Sequence, residues 1–220
     1  MKLFKLLVLA LFIVGCQSSD SSKETQAEMT PVPSKSTKPT KPTKPYSHPV
    51  VKITTSKGVL IAELYEDRAP NTVANFVSLT ESGFYNDMHF HRVIRGFMAQ
   101  GGCPYSRSND KTRKRPGTGG PGYSFNNETH PQLRHSQKGI LSMANSGPHT
   151  NGSQFFILFK ESSFLNGSYN VFGRVIEGLD VLDKIEAIGA PRDGFPLKEK
   201  VTFSVELLQK NDRPYKVKKN

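Results

Sequence analysis

From Val50 onward the apolar residues come in short runs broken by glycine and polar turns, too brief for long helices and regular enough for a sheet. VVKITT and VLIAELY are separated by Ser56-Lys57-Gly58, a turn where glycine adopts positive φ at little cost, so the two runs read as a β-hairpin. Further strands are expected at 88–94, 97–101, 140–143, 155–159, 171–176 and 200–208. Two stretches have helical period instead. Ala69-Pro70-Asn71 opens one, with Pro70 suited to the first turn, Val73, Phe76, Val77 and Thr80 on one stripe, and Gly83 stopping it. The second runs near Leu179–Ile188, with Leu179, Leu182, Ile185 and Ile188 on one side and Gly189 after its end. The expected fold is mainly β, a closed antiparallel eight-stranded barrel capped by two α-helices.

That domain occupies 48–209, roughly 160 residues, which suits one core rather than two. Residues 16–47 are rich in Ser, Thr, Lys and Pro and cannot supply a core. KPTKPTKP, 38–45, favours an extended polyproline-like tether, and thirty-odd residues at about 3.1 Å each reach on the order of 90 Å. The net charge of +11 is unevenly spread. Eight lysines against Asp20, Glu24 and Glu28 give residues 1–52 a charge of +5, while 107–115 and the basic tail 210–220 carry +4 each, so the rest is slightly acidic at −2. A near-neutral body with basic appendages argues against a continuous phosphate-tracking groove, and no nucleic-acid partner is expected.

The chain begins MKLFKLLVLALFIVGC: Lys2 and Lys5 precede an apolar run, Leu6 to Val14, too short to span a bilayer. Residues 1–15 therefore read as a signal peptide. Ile13-Val14-Gly15-Cys16 resembles the lipobox of bacterial lipoproteins, which implies cleavage before Cys16 and lipidation of its thiol, and so a membrane partner through an N-terminal lipid anchor. The expected location is the bacterial cell envelope, outside the cytoplasm. Gln17 rather than Asp after the cysteine favours the outer membrane in a cell with two membranes. With Cys16 modified, Cys103 is the only remaining thiol and no intramolecular disulfide forms; a half-buried structural cysteine is expected there.

Residues 90–102 read FHRVIRGFMAQGG, placing Arg92 five residues before Phe97 and eight before Gln100. A strand exposes alternate residues on each face, so a cation, a ring and a carboxamide converge on one shallow site suited to a peptide. GILSMANSGPHTNGSQFFI, 139–157, and FLNGSYNVFG, 164–173, follow in order. These three blocks resemble the cyclophilin family of peptidyl-prolyl cis-trans isomerases, over about Val50 to Leu208.

The resemblance implies a barrel of the expected kind and a reaction on proline-containing polypeptides that needs no metal and no cofactor. By it, Arg92, Phe97 and Gln100 are catalytic: Arg92 is the cation at the prolyl nitrogen and Gln100 holds it. Phe97, Met98, Phe156 and Leu165 form the pocket for the proline ring, Ala144 and Asn145 bind the substrate main chain, and Gln154 lines the same groove. Phe164 stands where many members have Trp, and Tyr169 where many have His, so weak cyclosporin binding is expected with isomerase activity retained. The segment Cys103–Pro116 is longer and more basic than in compact members, and acidic substrates or anionic envelope polymers are the expectation for it, beside a plain solvated loop. A monomer is expected. The competing readings are a peptide-binding chaperone without turnover and an envelope-binding lipoprotein or adhesin.

Other signals lead less far. His89-x-His91 lacks a third metal ligand at sensible spacing. The glycine-rich run after Arg115 has no following Lys-Ser/Thr, so it is no phosphate loop. Ser153 and His149 have no nucleophile elbow around them.

Overall fold

The computed structural model describes residues 47–192 and 197–220. The leader 1–15, Cys16 and the linker as far as residue 46 lie outside the described residues. The hairpin forms as β1 (Val50–Thr55) and β2 (Gly58–Leu64), with Val50 opposite Glu63 and Thr55 opposite Gly58. Gly58 sits at φ +136, and the Thr55 hydroxyl donates to its carbonyl at 2.7 Å. Helix α1 (Pro70–Glu81) follows, then β3 (Met88–His89), β4 (Arg92–Ile94) and β5 (Met98–Gly101). After a long irregular segment come β6 (Ile140–Met143), β7 (Phe155–Leu158), β8 (Val171–Glu177), helix α2 (Leu179–Ala187) and β9 (Thr202–Gln209).

These strands make one nine-stranded antiparallel sheet in the order β3-β9-β1-β2-β8-β6-β7-β5-β4. The count exceeds the expected eight because the single strand anticipated at 88–94 is two. β3 pairs with β9, and β4 pairs with β5, at opposite ends of the strand order. Between them the Phe90 amide donates to Val201 and the His91 amide to Gln100, each at 3.0 Å. The two ends of the sheet are thus joined by the chain itself changing partner, with no ladder between β3 and β4.

The sheet curls around an aromatic interior. Phe76 of α1 packs against Tyr85, Phe155 and Phe172 at centroid distances of 4.9, 5.3 and 5.0 Å, and Phe155 meets Phe203 at 5.7 Å. The α1 stripe Val73, Phe76, Val77 and Thr80 is buried as the spacing predicts. On α2 the buried face is Val181, Leu182 and Ile185, while Leu179 at the first position is 42% exposed, contrary to the expected stripe. No side chain at Ala69 caps α1; the Glu128 carboxylate, 56 residues on from Thr72, accepts the amides of Asn71 and Thr72 at 3.0 and 2.7 Å.

Residues 210–220, basic in sequence, are tied down along α1. The Glu66 carboxylate, 4% exposed, accepts from Asn211 and from Arg213 Nε at 2.6 Å. Further along, the Lys218 amide donates to Asn71 at 2.7 Å, and the Asn220 side chain donates to the His149 carbonyl at 2.8 Å. Leaving a buried carboxylate short of a partner is costly, and Arg213 is half exposed, so Arg213→Ala is expected to lower unfolding free energy by about 1–3 kcal/mol in urea titration. Lys216→Ala is expected to stay within about 0.5 kcal/mol.

Candidate active site

Alternation along four neighbouring strands divides their side chains between two faces. Val93, Ala99, Leu141, Met143, Phe155 and Ile157 enter the interior. Their neighbours Ile94, Met98, Ile140, Phe156 and Leu158 face the other way, where with Leu165 and Val171 they form a second apolar cluster, flanked by Phe97, Ala144 and Tyr169. Register then builds the site. Arg92 lies opposite Gln100, Gln100 opposite Phe156, and Phe156 opposite Ser142, one continuous row across β4, β5, β7 and β6. A guanidinium, a carboxamide and a ring therefore stand side by side, about one strand spacing apart.

A chain of hydrogen bonds orients the polar members. Arg92 Nη1 donates to Gln100 Oε1 at 3.3 Å, Gln100 Nε2 to Gln154 Oε1 at 2.9 Å, and Gln154 Nε2 to the carbonyls of Gly117 and Gly119 at 2.8 Å each. Because the relay ends on carbonyls that only accept, each amide can point only one way. His91, 4% exposed, bonds the Gln154 side chain, and burial above all, with the charges of His89 and Arg92, pulls its pKa down to about 4. It is neutral at pH 7, which leaves Arg92 as the cation of this row.

Phe156 forms the pocket floor, 5% exposed. Tyr169 meets it edge-on at 5.9 Å and 79°, and His135 stacks behind it at 6.0 Å and 16°. His135 is buried, with Nδ1 3.0 Å from Asn166 Oδ1 and Nε2 2.9 Å from the Ser142 hydroxyl. An amide oxygen only accepts, so Nδ1 carries the proton and Nε2 receives the Ser142 hydroxyl. Phe97, in the β4–β5 turn, packs on Phe164 at 5.7 Å, and Phe164 is 75% exposed. Met98 and Leu165 are buried in the same cluster.

Beside this pocket runs a groove of about 520 Å³, lined by Gln100, Gly117, Tyr123, Ala144, Asn145 and Gln154 among others. The Asn145 side chain donates to the Ser168 carbonyl at 3.0 Å and accepts the Gly147 amide at 3.3 Å, which fixes its orientation at the groove wall. Ala144 donates its amide to the Gln154 carbonyl at 2.9 Å. The residues that the resemblance assigns to peptide binding and catalysis thus fall in the pocket, its rim or the groove, while Cys16 lies outside the described residues. Three supporting residues escaped that reading. His135 and Asn166 sit in irregular segments without periodic signal. Asn75 lies within the apolar stripe of α1, accepts from the Tyr123 hydroxyl at 2.6 Å and donates to the Gly152 carbonyl at 2.8 Å, tying the helix to the groove rim. A polar residue among helix core positions was its one available signal.

Gly102 shows how tightly the strand is seated, since a Cβ there would lie 2.3 Å from the Ser153 carbonyl oxygen. Ser153 itself is buried and donates to the Gly102 carbonyl at 2.7 Å. Cys103 is fully rather than half buried, its sulfur accepting the Gly119 amide at 3.3 Å. In the basic loop, Arg107 packs over the Phe84 ring and donates to its carbonyl at 2.5 Å, while 111–115 are exposed.

A family model for cyclophilin type peptidyl-prolyl cis-trans isomerases matches residues 50–207. A peptidyl-prolyl cis-trans isomerase of Arabidopsis thaliana is 44% identical over 149 residues, 68% of this chain and 89% of that protein. One of Helicobacter pylori is 46% identical over 136 residues, 61% and 78% of the two chains. A peptidyl-prolyl cis-trans isomerase-like protein of Cryptococcus neoformans is 44% identical over 163 residues, and there this chain spans only 27% of the relative's length. The crystal structure of a Cryptosporidium parvum cyclophilin type peptidyl-prolyl cis-trans isomerase in the presence of the dipeptide Ala-Pro superposes with a TM-score of 0.64 and 35% identity, covering 73% of this chain and 99% of that one.

Burial lowers the pKa of His91, His89 and His135 in the folded chain, so the unfolded chain binds more protons on acidification. The stability present above the unfolded histidine value near 6.5 is lost progressively as the pH falls toward 4, by about 3 kcal/mol for His91 alone. Urea titrations at pH 7 and pH 4.5 are expected to show this loss, and a smaller one in His91→Asn. His135→Ala, which removes the stack behind Phe156 and leaves the buried Ser142 hydroxyl without its acceptor, is expected to lower the unfolding free energy by about 1–3 kcal/mol in urea titration.

Proposed function

The chain belongs to the cyclophilin type peptidyl-prolyl cis-trans isomerase family, and from that membership we propose that it accelerates the isomerisation of X-Pro bonds in proteins that fold outside the cytoplasm. One observation carries the chemical part: Arg92 stands in register with Gln100 and Phe156, its guanidinium bonded to an amide whose orientation is itself fixed.

The barrier to rotation, about 18–20 kcal/mol, comes from amide resonance. As the bond twists, the prolyl nitrogen pyramidalises and gains a lone pair. A donor aimed at that nitrogen bonds the twisted state and finds nothing to bond in the planar one, which lowers the barrier rather than merely tightening binding. A 10⁵-fold acceleration needs about 7 kcal/mol, a sum within reach of an oriented cation, a desolvated site and a ring held in place. Phe97, Met98, Phe156 and Leu165 hold the five-membered ring, Ala144 and Asn145 offer main-chain groups to the preceding or following residues, and Gln100 steadies Arg92. No group is deprotonated and no covalent intermediate forms.

The extracytoplasmic setting rests on the sequence before the domain. The Leu6–Val14 run ending at Gly15-Cys16 supports export followed by lipidation of Cys16, with the Pro-rich segment as a tether to the membrane. Metabolic labelling of cells with a fatty-acid probe is the measure: incorporation into the wild-type chain and its loss in Cys16→Ala are expected. In a protease-coupled assay on the full chain, Arg92→Ala is expected to lower kcat/KM by about 100-fold or more. Rates no faster than the uncatalysed one for both proteins would leave a binding function without turnover, and equal accelerated rates would remove Arg92 from the chemistry.

A further inference from the structure

At the other end of β6 from the groove lies a second cleft, of about 360 Å³, whose walls include Arg68, Arg134, Arg174 and Tyr65 and whose floor includes Ile140 and Val171. No carboxylate lines it. Glu63 and Asp67 stand at its margin, and each reaches its arginine by one long contact, Arg174 Nη2 to Glu63 Oε2 at 3.6 Å and Arg68 Nε to Asp67 Oδ2 at 3.4 Å, which leaves most of both guanidinium forks unused; Asp67 also lies 3.8 Å from His48 Nε2. Arg134 is exposed and forms no ion pair among the described residues. The Tyr65 phenol on the same wall is protonated at neutral pH, as any tyrosine is, and burial raises its pKa further.

Ile140 and Val171 pack in the same buried apolar cluster as Phe156 and Leu165, so the cleft and the proline pocket are built on one group of side chains. Their separation follows from register. Arg174 lies opposite Ile140, and Phe156 opposite Ser142, two residues further along β6 on its other side. Two strand spacings and two residues of rise amount to about 12 Å. An extended chain covers that distance in about four residues. A flat basic patch would suit a polymer or a lipid surface equally well. A concave site about 12 Å from Phe156, within reach of an extended chain, suits an acidic side chain of a peptide that is bound at the proline pocket.

We propose that this cleft binds an acidic side chain of the polypeptide substrate, three or four residues from the proline, on the side of the chain that leads away from the groove. The proposal rests on the peptide-isomerase reading and narrows its substrate class.

The experiment is a set of proline peptides carrying Glu or Gln four residues before, or four residues after, the proline. They are assayed at low salt with the full chain, with Arg134→Gln, and with the triple variant R68Q/R134Q/R174Q. Three exposed charge contacts are expected to give the wild type about a fivefold to tenfold lower KM for Glu over Gln at one of the two placements only. That preference should shrink about twofold in Arg134→Gln, vanish in the triple variant, and vanish for the wild type in high salt. The Gln peptides should turn over equally with all three proteins. Equal KM for Glu and Gln peptides at both placements, or a preference that survives in the triple variant, overturns the proposal. Turnover of the Gln peptide by the wild type reports on the isomerase reading separately. If that turnover is absent, fluorescence anisotropy still judges the cleft: tighter binding of Glu than Gln, lost in the triple variant, supports it, and equal binding overturns it.

Discussion

Phe90 gives its amide to Val201, just before β9, and His91 gives its amide to Gln100 of β5, and this change of partner between two adjacent residues decides what the rest of the molecule can be. Were 88–94 one regular strand, it would serve a single edge, and the ends of the sheet would stay apart. The change brings Arg92 into register with Gln100 from a segment that has just left the opposite end of the strand order. It also buries His91 under the site in neutral form, where it contacts Gln154 without competing with the guanidinium for charge. Fold closure and the placement of the cation are therefore the same event.

The two faces of the sheet then do different work. Inside, large aromatic residues around Phe76 and Phe155 fill the space between the strands and α1. Outside, the alternate residues of the same strands form a smaller apolar surface, roofed in part by Leu165 and Tyr169 and backed by the His135–Ser142–Asn166 bonds. Each residue of β7 serves one or the other in turn. A one-residue slip of β5 would turn the Gln100 carboxamide into the core in place of Ala99 and leave Arg92 without its partner, so the register that stabilises the fold also protects the site.

Much of this was legible in the sequence where the determinants are local. The hairpin, both helices and the strands around 140–143 and 155–158 follow from period and turn chemistry. The pocket residues follow from three motif blocks whose order and spacing resemble the cyclophilins. What the chain hid depends on distant partners. Alternation across 88–94 reads as one strand because nothing local announces a change of neighbour. Glu128 caps a helix whose first residues lie more than fifty positions earlier, and the basic tail looks like an appendage until Glu66 is seen to hold Arg213. Leu179 fits the helical stripe by spacing but sits at the first helical position, beside Gly139, and stays 42% exposed. Arg68, which follows β2, and Arg134, which precedes β6, share a cleft with Arg174 of β8 because β8 lies between those two strands.

The central claim is that the Arg92 guanidinium faces the prolyl nitrogen while the ring occupies the pocket on Phe156. A crystal structure of the protein with a proline-containing peptide measures this directly. The account predicts a guanidinium nitrogen within about 3.5 Å of the prolyl nitrogen, with Gln100 still bonded to Gln154. A ring seated on Phe156 with the Arg92 side chain turned toward solvent or bound elsewhere would contradict it.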